Sequence, residues 1–423
     1  MHPVVFDKPY TFVPPYRGRL WPWILQRFAR RRLAKDFGVE SFEYSGLEHL
    51  RESLAAGHGI IIAPNHCRPA DPMVISEMCR QVGVAPYTMA SWHLFMVSRL
   101  QTFILRRVGA FSVYREGMDR QALQMAVEIL DEGRRPLVLF PEGVITRTND
   151  RLLAMMDGLS FIGRTAAKKR APRQQQVVVH PVALRYRFHG DLNESLNSAL
   201  DEIENRLSWR PKRDSSLVDR IYRVGKALLW LKEIEYCGCP QTGEIGDRVQ
   251  RLIDGILVPM EEDWLGGHAG VKEKTVVGRV KQLRIAILRE MIDGELSDEE
   301  RSRRWDQLAD MYLAQQLGQY PPDYIRSDPT AERMLETVEK FEEDLTDHCR
   351  VYRPMSVSVQ VGEPIVVATK RVRGQSEDPL MSQLESELHR MLGIVPTAAP
   401  DVLVSRADSE AETAPESAES SVE

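Results

Sequence analysis

A histidine and an aspartate five positions apart are the first residues in the sequence whose types and spacing suit catalysis. His66 and Asp71 lie in the segment NHCRPADP at residues 65–72. A carboxylate can fix the tautomer of an imidazole and stabilise the imidazolium, while the other ring nitrogen takes a proton from a hydroxyl group. Asp71 could instead cap a helix, as Asp328 could before Pro329. Capping would not explain His66, so we predict a general-base pair.

Two further segments carry groups that could bind a substrate. Glu142 and Gly143 end the sequence FPEG at 140–143, where the carboxylate could hold a polyol hydroxyl or orient a base, and the glycine lets a ligand approach the backbone. Arg115 ends the segment GAFSVYR, where its guanidinium could bind a phosphate in bidentate geometry. The alternatives are an ordinary turn after a strand and a solvated surface arginine.

The elements around these segments predict an α/β fold. Apolar runs at 59–63, 85–91, 108–114, 137–140 and 177–186 predict strands, and the periodicity of 118–132 and 157–169 predicts helices. Short strands alternating with helices indicate a mostly parallel sheet flanked by helices. All three segments then follow strands, at the edge of the sheet where α/β folds bind ligands.

A large all-helical insertion is expected to interrupt this sheet. Strand character returns only at residues 357–367, after the helices predicted at 217–234, 248–264, 272–292, 297–317 and 330–348. We therefore divide the chain into a basic, aromatic, membrane-facing arm at 1–44, an α/β domain at 45–190 and 353–395, a helical insertion at 191–352, and a disordered acidic tail at 396–423.

Four motifs in order resemble the glycerolipid acyltransferase family, the 1-acylglycerol-3-phosphate acyltransferase group. They are the Asn-His-x4-Asp segment at 65–71, the glycine-led strand ending at Arg115, FPEG at 140–143, and VHPVAL at 179–184. The sequence VGEPI at 361–365 is similar to a late strand of the family. The resemblance covers about residues 45–190 and 353–395.

The resemblance implies acyl transfer without a covalent enzyme intermediate. His66 would deprotonate the acceptor hydroxyl, and Asp71 would orient His66. Arg115 and the turn at Glu142 and Gly143 would hold the glycerol phosphate of the acceptor.

Other residues near the motifs are assigned by the same resemblance. The family usually continues Thr-Arg-Ser after FPEG, whereas this chain has VITR at 144–147, so Arg147 is a second candidate for the phosphate-binding cation. Arg68, inside the first motif, could meet a phosphate of the acceptor or of the donor. Phe95, Met96 and Phe103 would line an acyl groove, although a stripe of this kind also suits a plain core.

Composition and charge limit the class of protein and its partners. The chain of 423 residues is 43% hydrophobic and 28% charged, which is typical of a globular protein. It has no apolar run of about 18 residues, which predicts that no transmembrane helix is present. Residues 1–35 carry eight basic side chains and one acidic one, and aromatic residues such as Trp21 and Trp23 lie among six arginines at 16–33. This mixture predicts contact with an anionic membrane surface, or else an arm packed on the protein itself; nucleic acid binding is not expected.

The sequence thus predicts a cytoplasmic enzyme, peripheral on the inner face of the cell membrane. It would move a fatty acyl group from acyl-CoA or acyl carrier protein to lysophosphatidic acid or a similar lyso-glycerolipid in phospholipid biosynthesis. The alternatives are transfer to another lipid acceptor (an amino-acid lipid or a lysophospholipid) and a non-catalytic lipid-binding module on the same fold. No metal or cofactor is expected, since Cys237 and Cys239 suit a tight turn better than a metal site.

Overall fold

The central feature of the fold is an eight-stranded, mostly parallel sheet. The computed structural model describes residues 6–267, 270–273, 275–320, 323–371 and 378–394, apart from the side chain of residue 293. The strands are β1 (Val39–Ser45), β2 (Gly59–Pro64), β3 (Tyr87–Ser91), β4 (Ala110–Val113), β5 (Leu137–Val138), β6 (Val177–Phe188), β7 (Met355–Val361) and β8 (Ile365–Val366).

The order of the strands is β1-β7-β6-β2-β5-β3-β4, with β8 beside β6. Every neighbouring pair is parallel except β6 with β7 and β6 with β8. Strand β7 enters between β1 and β6 only after the long helical region. The predicted fold class, a mostly parallel sheet interrupted by a helical insertion, is therefore confirmed.

Helices cover both faces of the sheet. They are α1 (Leu20–Gln26), α2 (Ala29–Phe37), α3 (Leu47–Ala55), α4 (Asp71–Gln81), α5 (His93–Met96), α6 (Arg99–Val108), α7 (Arg120–Glu132), α8 (Gly158–Arg170), α9 (Leu192–Arg206), α10 (Leu217–Cys237), α11 (Ile245–Leu265), α12 (Val276–Asp293), α13 (Asp298–Leu317), α14 (Tyr324–Ser327), α15 (Ala331–Thr346) and α16 (Pro379–Leu392). None of these helices is long and apolar enough to cross a membrane.

The core has one apolar layer on each face of the sheet. Helices α7, α8 and α16 bury residues such as Leu130 and Leu384 against one face. Helices α2, α3 and α4 bury residues such as Leu33 and Ile75 against the other. All six residues of β2 are buried, so polar side chains can appear only where the strand ends. The fold thus leads from the most buried strand directly into residues 65–71.

The region between β6 and β7 has two parts. Helices α9, α10 and α15 extend the core of the sheet, through residues such as Leu200, Val224 and Val338. The end of α10 and helices α11–α13 instead surround a separate apolar cluster that includes Leu257 and Ile287. The first part therefore lies directly against the acyltransferase-like sheet.

The N-terminal region differs from the arm expected at 1–44. Residues 39–44 belong to β1, the edge strand, because β7 offers them a parallel partner. Upstream, the backbone N–H of Val13 donates to Ser112 Oγ at 2.8 Å, and the Tyr10 hydroxyl lies 2.9 Å from the same oxygen. Much of the segment therefore packs on the domain, which was one of the two alternatives. The tail predicted at 396–423 lies outside the described residues.

The structure assigns an N-terminal helix cap to neither Asp328, where one was expected, nor Asp71, where capping was the alternative. Helix α15 begins at Ala331, so the capping position belongs to Thr330, whose hydroxyl accepts from the N–H of Arg333. Asp328 lies too early to reach the first turn. Asp71 is the first residue of α4, and Ala70 occupies its cap position without a side-chain bond. Capping therefore does not explain Asp71.

Candidate active site

His66 and Asp71 form a close pair at the carboxyl end of β2. Nδ1 of His66 lies 2.9 Å from Oδ2 of Asp71, and the Phe140 ring stacks on the imidazole with centroids 4.0 Å apart. The side chain of His66 is 14% exposed, while that of Asp71 is fully buried. Nε2 of His66 makes no hydrogen bond to any described residue, so this nitrogen is available for a proton from a substrate.

The Asp71 carboxylate is held by donors from the loop after β2 and from β6. Besides His66, it accepts the backbone N–H of Arg68 at 2.8 Å and the hydroxyl of Tyr186 at 2.6 Å. Burial raises the pKa of Tyr186 well above its usual value, which keeps this hydroxyl a donor. Charge-assisted hydrogen bonds of this kind hold a buried carboxylate in one orientation. Asp71 can therefore fix both the tautomer and the orientation of His66.

Glu142 is buried and contacts the residue that carries the candidate base. Its Oε1 accepts the backbone N–H of His66 at 2.7 Å, and its Oε2 accepts that of Leu153 at 2.8 Å. Both oxygens are thus occupied by the protein backbone. The carboxylate of Glu142 therefore holds both His66 and the 144–156 loop in place. The same loop contacts His66 directly, because the N–H of Thr146 donates to the carbonyl oxygen of His66 at 2.8 Å.

Gly143 and Arg115 are joined across the same turn. Gly143 has a φ of +70°, and a Cβ added there would lie 2.5 Å from Sδ of Met156, so a side chain is excluded on both counts. Its carbonyl oxygen accepts from the guanidinium of Arg115 at 2.5 Å. Arg115 is half-buried, and burial lowers its pKa. The structure therefore brings Arg115 to the Glu142–Gly143 turn.

Arg68 and Arg147 point to helix α15. Nη1 of Arg68 donates to Glu339 at 2.8 Å, and Arg147 donates to Glu343. The guanidinium of Arg68 also lies 5.4 Å from the ring centroid of Tyr186. In the described part of the chain, these two predicted phosphate-binding cations already have carboxylate partners.

Two asparagines stabilise the site but were not found by sequence reasoning as functional residues. Asn65 exchanges side-chain hydrogen bonds with the backbone of Leu184, at 2.7 and 3.1 Å. Asn149 does the same with the backbone of Tyr186, at 2.8 and 2.9 Å. The Asn65 bond was hinted at by its place beside His66, whereas no local pattern marks Asn149 or Tyr186.

The residues predicted to line an acyl groove do not share one environment. Phe95 is buried with Trp92 beside the N-terminal segment, and Met96 packs partly on the same cluster. Phe103 is 43% exposed, and its ring contacts that of Trp21 with centroids 5.7 Å apart. Their role at an acyl chain stays a prediction.

Comparison with known proteins agrees with the geometry. Residues 41–185 match the family model described as Acyltransferase. No curated protein matches the chain. The matched range contains the His66–Asp71 pair, Arg115 and the Glu142–Gly143 turn. Residues 41–185 of the chain therefore form an acyltransferase domain.

Proposed function

We propose that this acyltransferase moves a fatty acyl group from a thioester, acyl-CoA or acyl carrier protein, to the hydroxyl of lysophosphatidic acid or a similar lyso-glycerolipid. The observation that carries the proposal is the pairing of His66 Nδ1 with the buried Asp71, which leaves Nε2 without a protein partner. A product of this reaction is a diacylated phospholipid precursor, so the proposed setting is phospholipid biosynthesis.

In the proposed mechanism, His66 acts first as a base and then as an acid. Nε2 takes the proton of the acceptor hydroxyl while its oxygen forms a bond to the thioester carbonyl carbon. Asp71 stabilises the resulting imidazolium. The carbon–sulfur bond of the tetrahedral intermediate then breaks, and the leaving thiolate takes the proton from His66. Atoms and charge balance without a metal or redox group in this scheme.

Glu142 is assigned a positioning role in this mechanism. Its two oxygens bind backbone N–H groups, so we place it in the support of His66 and the 144–156 loop rather than on the substrate. Arg115, beside Gly143, is then the cation we assign to the phosphate of the acceptor.

A second candidate is transfer to a lipid acceptor without a phosphomonoester. The pairing of Arg68 with Glu339 and of Arg147 with Glu343 favours it, because it removes two cations from the binding of an anionic acceptor. A panel of acceptors separates the two candidates: lysophosphatidic acid against monoacylglycerol and lysophospholipids with larger headgroups.

Peripheral membrane binding would supply the acceptor. Helices α1 and α6 pack together and expose apolar side chains; those above one-third exposed are Leu20, Trp23, Leu100 and Phe103. Exposed arginines such as Arg19 and Arg99 lie on or beside the same two helices. Aromatic and apolar groups among arginines suit the interface of an anionic bilayer. We call these two helices the α1–α6 surface.

Thiol release from palmitoyl-CoA, with and without lysophosphatidic acid, tests the proposal. We expect acceptor-dependent release by the wild type and a loss of at least 100-fold in His66→Ala, because a general base typically supplies about 10²–10⁴-fold. His348→Ala is the matched control, since this histidine is exposed and its ring makes no hydrogen bond to described residues.

Retention of more than about a hundredth of the activity in His66→Ala would exclude the general-base role. Acyl carrier protein replaces CoA as donor if palmitoyl-CoA gives no release. Absence of transfer from both donors to every acceptor of the panel would favour the non-catalytic lipid-binding alternative.

A further inference from the structure

Arg284, on helix α12 of the insertion, is a buried cation that has no carboxylate partner among the described residues. The residue is 8% exposed, and its Nε is buried without any hydrogen-bond partner. None of its nitrogens forms a hydrogen bond or ion pair with a described residue. Burying an unpaired charge is costly, so such a group usually marks a place where a ligand supplies the counter-charge.

The other well-buried arginines of the insertion bundle are paired, which makes Arg284 distinct. On the same helix, Arg279 binds Asp254 and Glu261, each at 2.7 Å. On α13, Arg304 binds two glutamates in the same way. The buried arginines that hold the bundle together are therefore paired with carboxylates, whereas Arg284 is not paired with any described residue.

Contacts of the bundle place it at the end of β4, beside the acyltransferase site. Arg301 of α13 forms an ion pair with Asp7 at 2.6 Å. The N-terminal segment that carries Asp7 stacks in turn on the residue before Arg115, since the rings of Tyr10 and Tyr114 have centroids 5.2 Å apart. Helix α13, on which α12 packs, is thus linked through the N-terminal segment to the residue next to Arg115, whose guanidinium reaches the turn at residues 142–143.

The electrostatics of this region agree with a short separation of the two guanidinium groups. Burial, followed by the positive charge of Arg115, lowers the pKa of Arg284 to about 10. Burial, followed again by Arg115, lowers the pKa of His93 to about 4. Glu116 is the acid whose charge reaches both arginines, but it forms no ion pair with either. The region therefore has an excess of positive charge.

We infer that Arg284 and Arg115 together form an anion subsite that binds a phosphate ester of a substrate, with one cation supplied by the insertion and the other by the acyltransferase domain. The inference rests on the proposed function for the identity of the substrate. Two guanidinium groups that lack carboxylate partners suit a doubly charged phosphate, which can accept several of their N–H groups. The phosphate could belong to the acceptor lipid or to the acyl donor, and kinetics distinguish these sources.

Binding of glycerol 3-phosphate, measured by calorimetry on the full chain, tests the subsite independently of catalysis. We expect the wild type to bind this ester in preference to glycerol, and Arg284→Met to weaken the binding at least tenfold. Arg289→Met is the matched control, because Arg289 is exposed on the same helix. Equal binding of glycerol and glycerol 3-phosphate, or unchanged binding in Arg284→Met, would overturn the inference.

Thermal unfolding of the same variants checks that the effect is local. Arg284→Met should melt at or above the wild-type temperature, because it removes an unpaired buried charge and keeps the volume. A clear fall in its melting temperature would mean that Arg284 has a structural partner, and would count against the subsite.

Michaelis constants then identify the source of the phosphate. A tenfold increase in KM for lysophosphatidic acid in Arg284→Met, with kcat little changed, assigns the subsite to the acceptor. An increase confined to the acyl donor assigns it to the donor, and no increase for either contradicts the inference. If the wild type transfers no acyl group, the proposed function fails while the calorimetric result still decides the subsite.

Discussion

Burial and hydrogen bonding shift the pKa of the Glu142 carboxyl group in opposite directions. Burial raises the pKa of this group to about 7, and the N–H groups of Leu153 and His66 counteract only part of the increase. A group whose pKa is higher in the folded state stabilises the fold while it is protonated. Its contribution is therefore complete below its ordinary pKa, about 4.5, and is lost as the pH rises through about 7.

We predict a pH-dependent difference in stability between the wild type and Glu142→Gln. Glutamine does not titrate, so the free energy of unfolding of the wild type should fall relative to the variant by about 2 kcal/mol between roughly pH 5 and pH 8. Urea unfolding at both pH values measures this difference, and other titrating groups cancel in the subtraction. If the wild type loses no stability relative to Glu142→Gln as the pH rises, the carboxyl group ionises in the folded state without destabilising it, and the prediction is wrong.

Residue spacing made much of the candidate catalytic pair predictable, but not the contacts that support it. His66 and Asp71 lie on one turn, so five positions of sequence determine that they meet. Tyr186 and Asn149 approach the pair only because β6 crosses the sheet beside β2. Such contacts follow from the tertiary fold, which a single sequence does not encode as a local pattern.

Helix α15 changes the interpretation of the site because its glutamates pair with Arg68 and Arg147, which the sequence had suggested as phosphate-binding cations. Nine consecutive residues, 334–342, are buried, so the helix is enclosed on all sides rather than amphipathic. Among them, burial raises the pKa of Glu336 and lowers that of Lys340. Glu339 is paired with Arg68 at the active site. A charged helix in this position is stable only because its carboxylates find partners on the acyltransferase domain.

Removing Glu339 should therefore destabilise the protein. We expect Glu339→Ala to lower the free energy of unfolding by about 3 kcal/mol, because the variant leaves Arg68 buried without its counter-charge. Glu235→Ala is the control: its pair with Lys232 is exposed on α10, and its loss should cost less than about 1 kcal/mol. Similar effects of the two variants in chemical denaturation would mean that the Arg68–Glu339 pair contributes no more than a surface pair.

The sequence predicted the helices of the insertion but not where they pack. Long charged helices were expected at 330–348 and elsewhere, and α10, α11, α12, α13 and α15 lie close to the expected ranges. The pairing of Arg68 with Glu339 joins residues 271 positions apart. Charge patterning did not locate this pair, since no local signal distinguishes a glutamate in water from one buried against an arginine.

At the scale of the whole molecule, two exposed apolar surfaces are candidates for the proposed membrane contact. One is the α1–α6 surface, with Trp23 56% and Leu100 69% exposed. The other lies on α10, where Trp230 and Leu231 are 45% and 53% exposed. The first is surrounded by arginines of the N-terminal region. Anionic headgroups attract such residues, so charge favours the α1–α6 surface.

The two surfaces can be compared with matched double variants. We expect Trp23→Asp with Leu100→Asp to reduce sedimentation with anionic vesicles at least tenfold, because the change removes buried apolar area and adds repulsion from the lipid. Trp230→Asp with Leu231→Asp carries the same change in charge and should bind nearly as the wild type does. Deletion of the N-terminal region would be a poorer test, since Val13 and Leu33 pack on the core.

Either outcome orients the enzyme on the bilayer. Loss of binding in the first variant alone would place the α1–α6 surface on the membrane. Loss of vesicle binding only in the variant with Trp230→Asp and Leu231→Asp would place the membrane contact on the insertion and contradict its assignment to the α1–α6 surface. The distinction matters for the proposed mechanism, in which the acceptor passes from the bilayer to His66. The α1–α6 surface adjoins β4, and through Arg115 it leads to the turn at Gly143 that borders the catalytic pair.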